Sequence, residues 1–92
     1  MQLNLYATFR LVAGVKHITV DLEDGSIVLQ VMQAACKQVP VLYPHWFDSH
    51  GHLHAHVHAI LCGEDVATLP LGWDTPLDAD AVLDIFPPVA GG

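Results

Sequence analysis

Ser26-Ile27-Val28-Leu29-Gln30-Val31-Met32-Gln33-Ala34-Ala35-Cys36-Lys37-Gln38 is the stretch on which the fold turns. It holds neither Gly nor Pro. Ile27, Val31, Ala34, Ala35 and Gln38 fall along one flank, with Val28, Met32 and Cys36 on the adjoining one. That spacing predicts a helix of about three turns. Ser26 is placed to cap it by accepting from an early helical N–H, and Pro40 marks its end.

The segments around this helix alternate instead. Residues 2–10 put Leu3, Leu5, Ala7 and Phe9 on one face and Gln2, Asn4, Tyr6, Thr8 and Arg10 on the other, which predicts a half-buried strand. Residues 16–22 alternate again with Ile18, Val20 and Leu22 inward, so a turn near Gly14 predicts an N-terminal hairpin. After the helix, residues 39–51 read as irregular, with Val41, Leu42, Trp46 and Phe47 folding back onto the core. Residues 52–61 predict a returning strand with Leu53, Ala55, Val57, Ala59 and Leu61 on one face. Residues 62–65 predict a turn, 66–69 a short strand or extended segment, 74–77 another turn, and 82–86 a last strand with Leu83 and Ile85 inward. One helix crossing between alternating strands predicts an α+β domain: a mixed sheet of four to five strands, one face covered by the helix. Its first and last strands become parallel central neighbours.

The 92 residues read as one domain, 1–92, with an extended tail at 87–92. Apolar residues make up 52% and charged ones 14%, a balance that builds a core and argues against disorder. Ten acids against Arg10, Lys16 and Lys37 give a formal charge of −7. A phosphate backbone would be repelled, so no nucleic-acid partner is expected, whereas a basic face on a protein partner would be attracted. No apolar run reaches the roughly 20 residues of a membrane span. Met1-Gln2-Leu3-Asn4 lacks the basic start of a signal peptide, so the expected compartment is the cytoplasm. Cys36 and Cys62 form neither a disulfide framework nor a C-x-x-C motif, and no role is assigned to either.

The end of the chain is the candidate site. Phe86-Pro87-Pro88-Val89-Ala90-Gly91-Gly92 follows the last strand with two prolines that stop it and stiffen the backbone. Glycine has no Cβ, so a Gly91-Gly92 end fits a channel too narrow for other residues, and it offers the Gly92 carboxylate to another protein's active site. The alternative is a terminus that is merely frayed. Phe86 points opposite Leu83 and Ile85 and could anchor in a partner's groove.

This ending closely resembles that of the molybdopterin-synthase small subunit, and the chain as a whole resembles the MoaD/ThiS sulfur-carrier family, ubiquitin-like proteins of β-grasp fold. Phe9-Arg10 near the end of the opening strand, the helix after Ser26, and Asp74-Thr75-Pro76-Leu77 before the acidic turn Asp78-Ala79-Asp80 support the resemblance. Cys62-Gly63 stands where the family often has Asn-Gly. The resemblance implies that a ubiquitin-activating-type adenylyltransferase uses ATP to adenylate Gly92, and that a sulfur donor then displaces AMP to leave a thiocarboxylate. It implies that Gly91 and Gly92 carry the chemistry, while Phe86, Pro87, Pro88, Val89 and Ala90 contact the larger molybdopterin synthase subunit. There the sulfur passes to a cyclic pterin phosphate in molybdenum cofactor biosynthesis. The chain itself is then a non-catalytic subunit with no permanently bound cofactor. A carrier for thiamine, cysteine or tRNA thiolation and a ubiquitin-like protein modifier remain open as alternatives.

One feature lies outside that resemblance: His50-Gly51-His52-Leu53-His54-Ala55-His56-Val57-His58. On a strand, residues two apart share a face about 6.6 Å apart. His52, His54, His56 and His58 would then line the side away from Leu53, Ala55 and Val57, where they could chelate Zn²⁺ or Ni²⁺. The competing reading is a solvated polar face. A His-rich metal-binding module is accordingly the alternative from a different functional class.

Overall fold

Leu3 and Leu5 are fully buried, as the alternation requires, and β1 spans Gln2–Leu5. The computed structural model describes residues 1–88, and within them the first strand does not run on to residue 10. Helix α1 spans Ala7–Ala13 instead. The sequence here satisfies two periods at once. Phe9, Val12 and Ala13 recur at i, i+3 and i+4 and pack on the core, while Ala7, Thr8 and Leu11 are exposed. Packing Phe9 edge-to-face on Trp46, with ring centroids 5.9 Å apart, favours the helical period. Gly14 closes α1, its N–H bonded to the Arg10 carbonyl. Strand β2, His17–Thr19, then pairs antiparallel with β1, Leu3 opposite Ile18. The two strands are thus neighbours as expected, but a helix joins them where a tight hairpin turn was predicted.

Helix α2 spans Val28–Gln38 and buries Val28, Val31, Met32, Ala35 and Cys36. Ser26 is not its cap. The Ser26 N–H donates to the Glu23 carbonyl at 3.1 Å and its own carbonyl accepts from the Leu77 N–H at 2.9 Å, which holds the helix entrance against residues 75–77. Ile27 occupies the cap position, and Gln30 Oε1 accepts from its N–H at 2.9 Å, satisfying a donor the helix leaves open. The chain leaves α2 at Val39, ahead of Pro40.

Residues 39–51 are more regular than their breakers suggested. A 3-10 turn, Pro40–Leu42, runs into the short helix α3, Tyr43–Trp46. Leu42, Trp46 and Phe47 are buried, but Val41 is 51% exposed and does not fold back. Strand β3 is His58–Leu61 only, so the long strand expected over 52–61 is corrected as well. Its earlier residues bond locally: Asp48 Oδ1 accepts from the backbone N–H of His50 and of His52, and the His54 N–H donates to the Trp46 carbonyl. Those N–H groups are therefore not available to a neighbouring strand.

Strand β4, Glu64–Asp65, returns antiparallel on β3 through the two-residue turn Cys62-Gly63. Residues 66–68 form a 3-10 turn rather than a strand, because Asp65 caps it by accepting from the Ala67 N–H at 3.0 Å. After a further 3-10 turn at Gly72–Asp74, β5 runs Val82–Phe86 with Leu83 and Ile85 buried. The sheet order is β2-β1-β5-β3-β4, with β1 and β5 parallel at its centre. Inward residues of the sheet join those of α2 in one hydrophobic core. The architecture is the α+β mixed sheet, five strands crossed by one main helix. Among the described residues no helix is long and apolar enough to cross a membrane.

Candidate functional site at the end of β5

Parallel pairing places Asn4 beside Asp84 and Leu5 beside Ile85. Since Leu5 and Ile85 face the core, Asn4, Asp84 and Phe86 stand on the opposite, solvent-facing side. There the Asp84 carboxylate accepts from Asn4 Nδ2 at 3.0 Å and from the Tyr6 hydroxyl at 3.1 Å. The hydrogen bond to that carboxylate, with lesser contributions from desolvation and the adjacent negative charge, raises the Tyr6 phenol above its ordinary pKa. Arg10 acts in the other direction, weakly.

Tyr6 also stacks on Phe86, with ring centroids 4.4 Å apart and planes 8° from parallel. The Arg10 guanidinium carbon lies 5.5 Å from the Tyr6 ring centroid, while its Nε donates to the Leu5 carbonyl at 3.0 Å. Arg10, Tyr6 and Phe86 thus brace the last turn of backbone before Pro87 and Pro88. Pro87 is partly buried and Pro88 exposed. Val89, Ala90, Gly91 and Gly92, named above as site residues, lie outside the described residues.

The sequence placed Phe86 opposite Leu83 and Ile85, and it does face that way. Its contact with Tyr6 was not foreseen, nor were the roles of Arg10 and Asp84 in holding Tyr6. A usable signal existed: Tyr6 shares the outward parity of Asn4 on β1, and parallel pairing with β5 sets that parity beside Asp84 and Phe86. A hollow of about 500 Å³ opens at the other end of β5, lined by Cys62, Asp78, Asp80 and Asp84 among others. Cys62 is exposed and free there, whereas burial pushes the Cys36 thiol up to about 12.

The histidine series is corrected in geometry. Only His58 lies on a strand, its Nδ1 4.0 Å from Asp65 Oδ2. His52 Nδ1 lies 3.9 Å from Asp48 Oδ2. The rings of His54 and His56 stack with centroids 5.0 Å apart. Among the described residues no three His, Cys, Asp or Glu side chains already converge as a metal centre.

No protein-family model matches the chain. Small archaeal modifier protein 3 of Haloferax volcanii is 33% identical over 92 residues, covering 100% of this chain and 98% of that protein. The crystal structure of the small archaeal modifier protein 1 from the same organism superposes with a TM-score of 0.85 at 30% identity, covering 99% of this chain and 97% of that one. The Amycolatopsis orientalis BexX/CysO complex contains a chain of the same fold, with a TM-score of 0.74, 21% identity and coverage of 99% and 98%. Fold and sequence together define a ubiquitin-like protein of β-grasp fold. Within that class, the chain belongs to the small archaeal modifier proteins.

Proposed function

We propose that this chain is a ubiquitin-like carrier whose Gly92 carboxylate is activated by a separate ATP-dependent enzyme and then transferred. Its full-length 33% identity to a small archaeal modifier protein carries the reading. The Phe86-Pro87-Pro88 exit, braced by Tyr6 and Arg10, is compatible with this reading, in which the partner supplies the catalytic groups.

A free carboxylate is a poor electrophile because it is anionic and lacks a good leaving group. In the proposed first step a Gly92 oxygen attacks the α-phosphorus of ATP, pyrophosphate departs, and a mixed anhydride with AMP remains. A lysine amine of a target protein can then displace AMP, directly or through an enzyme thioester, to give an amide. Modification of protein amines is the outcome that the named relatives favour. Sulfur transfer is the second reading, and the residues Phe86-Pro87-Pro88-Val89-Ala90-Gly91-Gly92 favour it through their likeness to the molybdopterin-synthase small subunit. There a sulfur donor displaces AMP and leaves a thiocarboxylate, which a larger synthase subunit would direct at a cyclic pterin phosphate. Both routes use the same activating step, and we place both in the cytoplasm, where ATP is supplied. This chain contributes position, by threading its end into the partner's site. Its −7 charge suits a basic docking face.

Intact-mass measurement after incubation with ATP, an activating enzyme and a sulfide source separates the outcomes. A gain equal to one oxygen exchanged for sulfur marks the carrier. Adducts of whole-protein mass that yield Gly92–lysine peptides on digestion mark the modifier. Loss of both products on deleting Gly91-Gly92, with the melting temperature unchanged, is expected under either route. Products that persist after that deletion would overturn the proposal.

A further inference from the structure

Residues 54–57 fold into a tight turn, the Val57 N–H donating to the His54 carbonyl at 3.2 Å. This turn, not a strand face, brings the two imidazoles together. His54 is the better held of the pair. Its backbone N–H is fixed to Trp46 at 2.8 Å, and its ring Nε2 lies 3.1 Å from the Pro44 carbonyl oxygen. A carbonyl oxygen can only accept, so Nε2 carries the proton of the neutral ring and Nδ1 is left with its lone pair. An imidazole whose tautomer is set by a backbone carbonyl at one nitrogen is prepared to ligate a metal through the other. His56, exposed on the same side, stacks on it with planes 13° from parallel.

We propose that His54 and His56 form a binding site for a divalent transition-metal ion of the Zn²⁺ and Cu²⁺ class, with water completing the coordination. Two imidazole nitrogens on a tetrahedral ion stand roughly 3.3 Å apart, from metal–nitrogen bonds of about 2.0–2.1 Å. The ring centres of two such imidazoles then lie about 5 Å apart, so the observed 5.0 Å already suits a shared ion and only the near-parallel ring orientation has to change. The exposed His56 turns its nitrogen toward the ion by rotating between staggered positions, while His54 keeps its bond to Pro44. Asp48 lies near enough to His54 for their charges to interact. Its carboxylate is held ionised chiefly by the N–H groups of His52 and His50, and it adds a favourable field for a cation. Nitrogen donors select transition metals over Mg²⁺ or Ca²⁺, which prefer oxygen. The bound ion would tie the 54–57 turn to α3 through Pro44. This site does not depend on the carrier function proposed above.

Calorimetric titration of the full chain with Zn²⁺, and separately with Mg²⁺, tests the assignment. One Zn²⁺ per chain is expected, with no Mg²⁺ heat. His56→Ala, which removes an exposed ring with no hydrogen bond among the described residues, should weaken Zn²⁺ at least tenfold, and His54→Ala should do the same. His17→Ala and His45→Ala should leave the isotherm as in the wild type. Equal binding by the His56→Ala and wild-type proteins would overturn the site. So would loss of binding on His50→Ala/His52→Ala with His54 and His56 intact, or a Mg²⁺ isotherm matching that of Zn²⁺.

Discussion

Tyr6 joins the first strand to the last through two different interactions, a hydrogen bond to Asp84 and a stack on Phe86. The first makes its ionisation a report on the site. Because the folded-state pKa of the phenol lies above its unfolded value, the linked stability is fully present below the ordinary tyrosine range and is lost as pH rises through the folded pKa. In a Tyr43→Phe background, where Tyr6 is the remaining tyrosine, tyrosinate absorbance against pH should give a midpoint above the ordinary value. Asp84→Ala should bring that midpoint down, since the largest cause of the shift is removed. An unchanged midpoint would mean that the Tyr6–Asp84 bond does not form in solution. At this scale the outward parity of Tyr6, Asp84 and Phe86 is legible from alternation alone. Their contact is not, because it depends on the register in which the first and last strands pair.

At the scale of the element, the same composition can serve two periods. Residues 2–10 alternate so well that a strand is the natural reading, yet only Gln2–Leu5 is one. Leu5 and Phe9 fit both a strand face and a helix face, and Trp46, distant in sequence, supplies the partner that favours the helix for Phe9. The histidine segment fails as a strand for a local reason, Asp48 taking the backbone N–H groups of His50 and His52. Helix α2 and strand β5 behave differently: each has a single period and a proline near its end, and each is found within a residue or two of expectation. The β3–β4 turn gives an element-level test. Cys62 and Gly63 both have positive φ, 52° and 81°, the pattern of a type I′ turn. A Cβ built on Gly63 meets nothing within 4 Å, so the penalty for Gly63→Ala is conformational. It should cost about 1–2 kcal/mol in denaturant unfolding. Cys62→Asn should be neutral or stabilising, because Asn tolerates this conformation better. A neutral Gly63→Ala would show that the turn relaxes to another type.

Across the whole molecule, α1 and α3 meet at Trp46, which is fully buried and packs against Phe9. Its indole N–H finds no acceptor among the described residues. Trp46→Ala, which empties a fully buried volume, should destabilise the domain by about 3–5 kcal/mol, a large share of the roughly 5–15 kcal/mol that holds a domain of this size. Trp46→Phe should cost distinctly less, because no hydrogen bond is lost with the indole. Equal losses for the two variants in urea unfolding would mean that the N–H is satisfied in solution. The amino-acid order alone determined the α+β class, the place of α2, the inward face of β5 and the acidic balance, since each follows from local periodicity or composition. Tertiary structure alone decided that residues 7–13 coil, in which register β1 and β5 pair, that Tyr6 braces Phe86, and that two histidines rather than four come together. The physical reason is that those outcomes depend on partners far along the chain, whose burial and hydrogen bonds outweigh what neighbouring residues prefer.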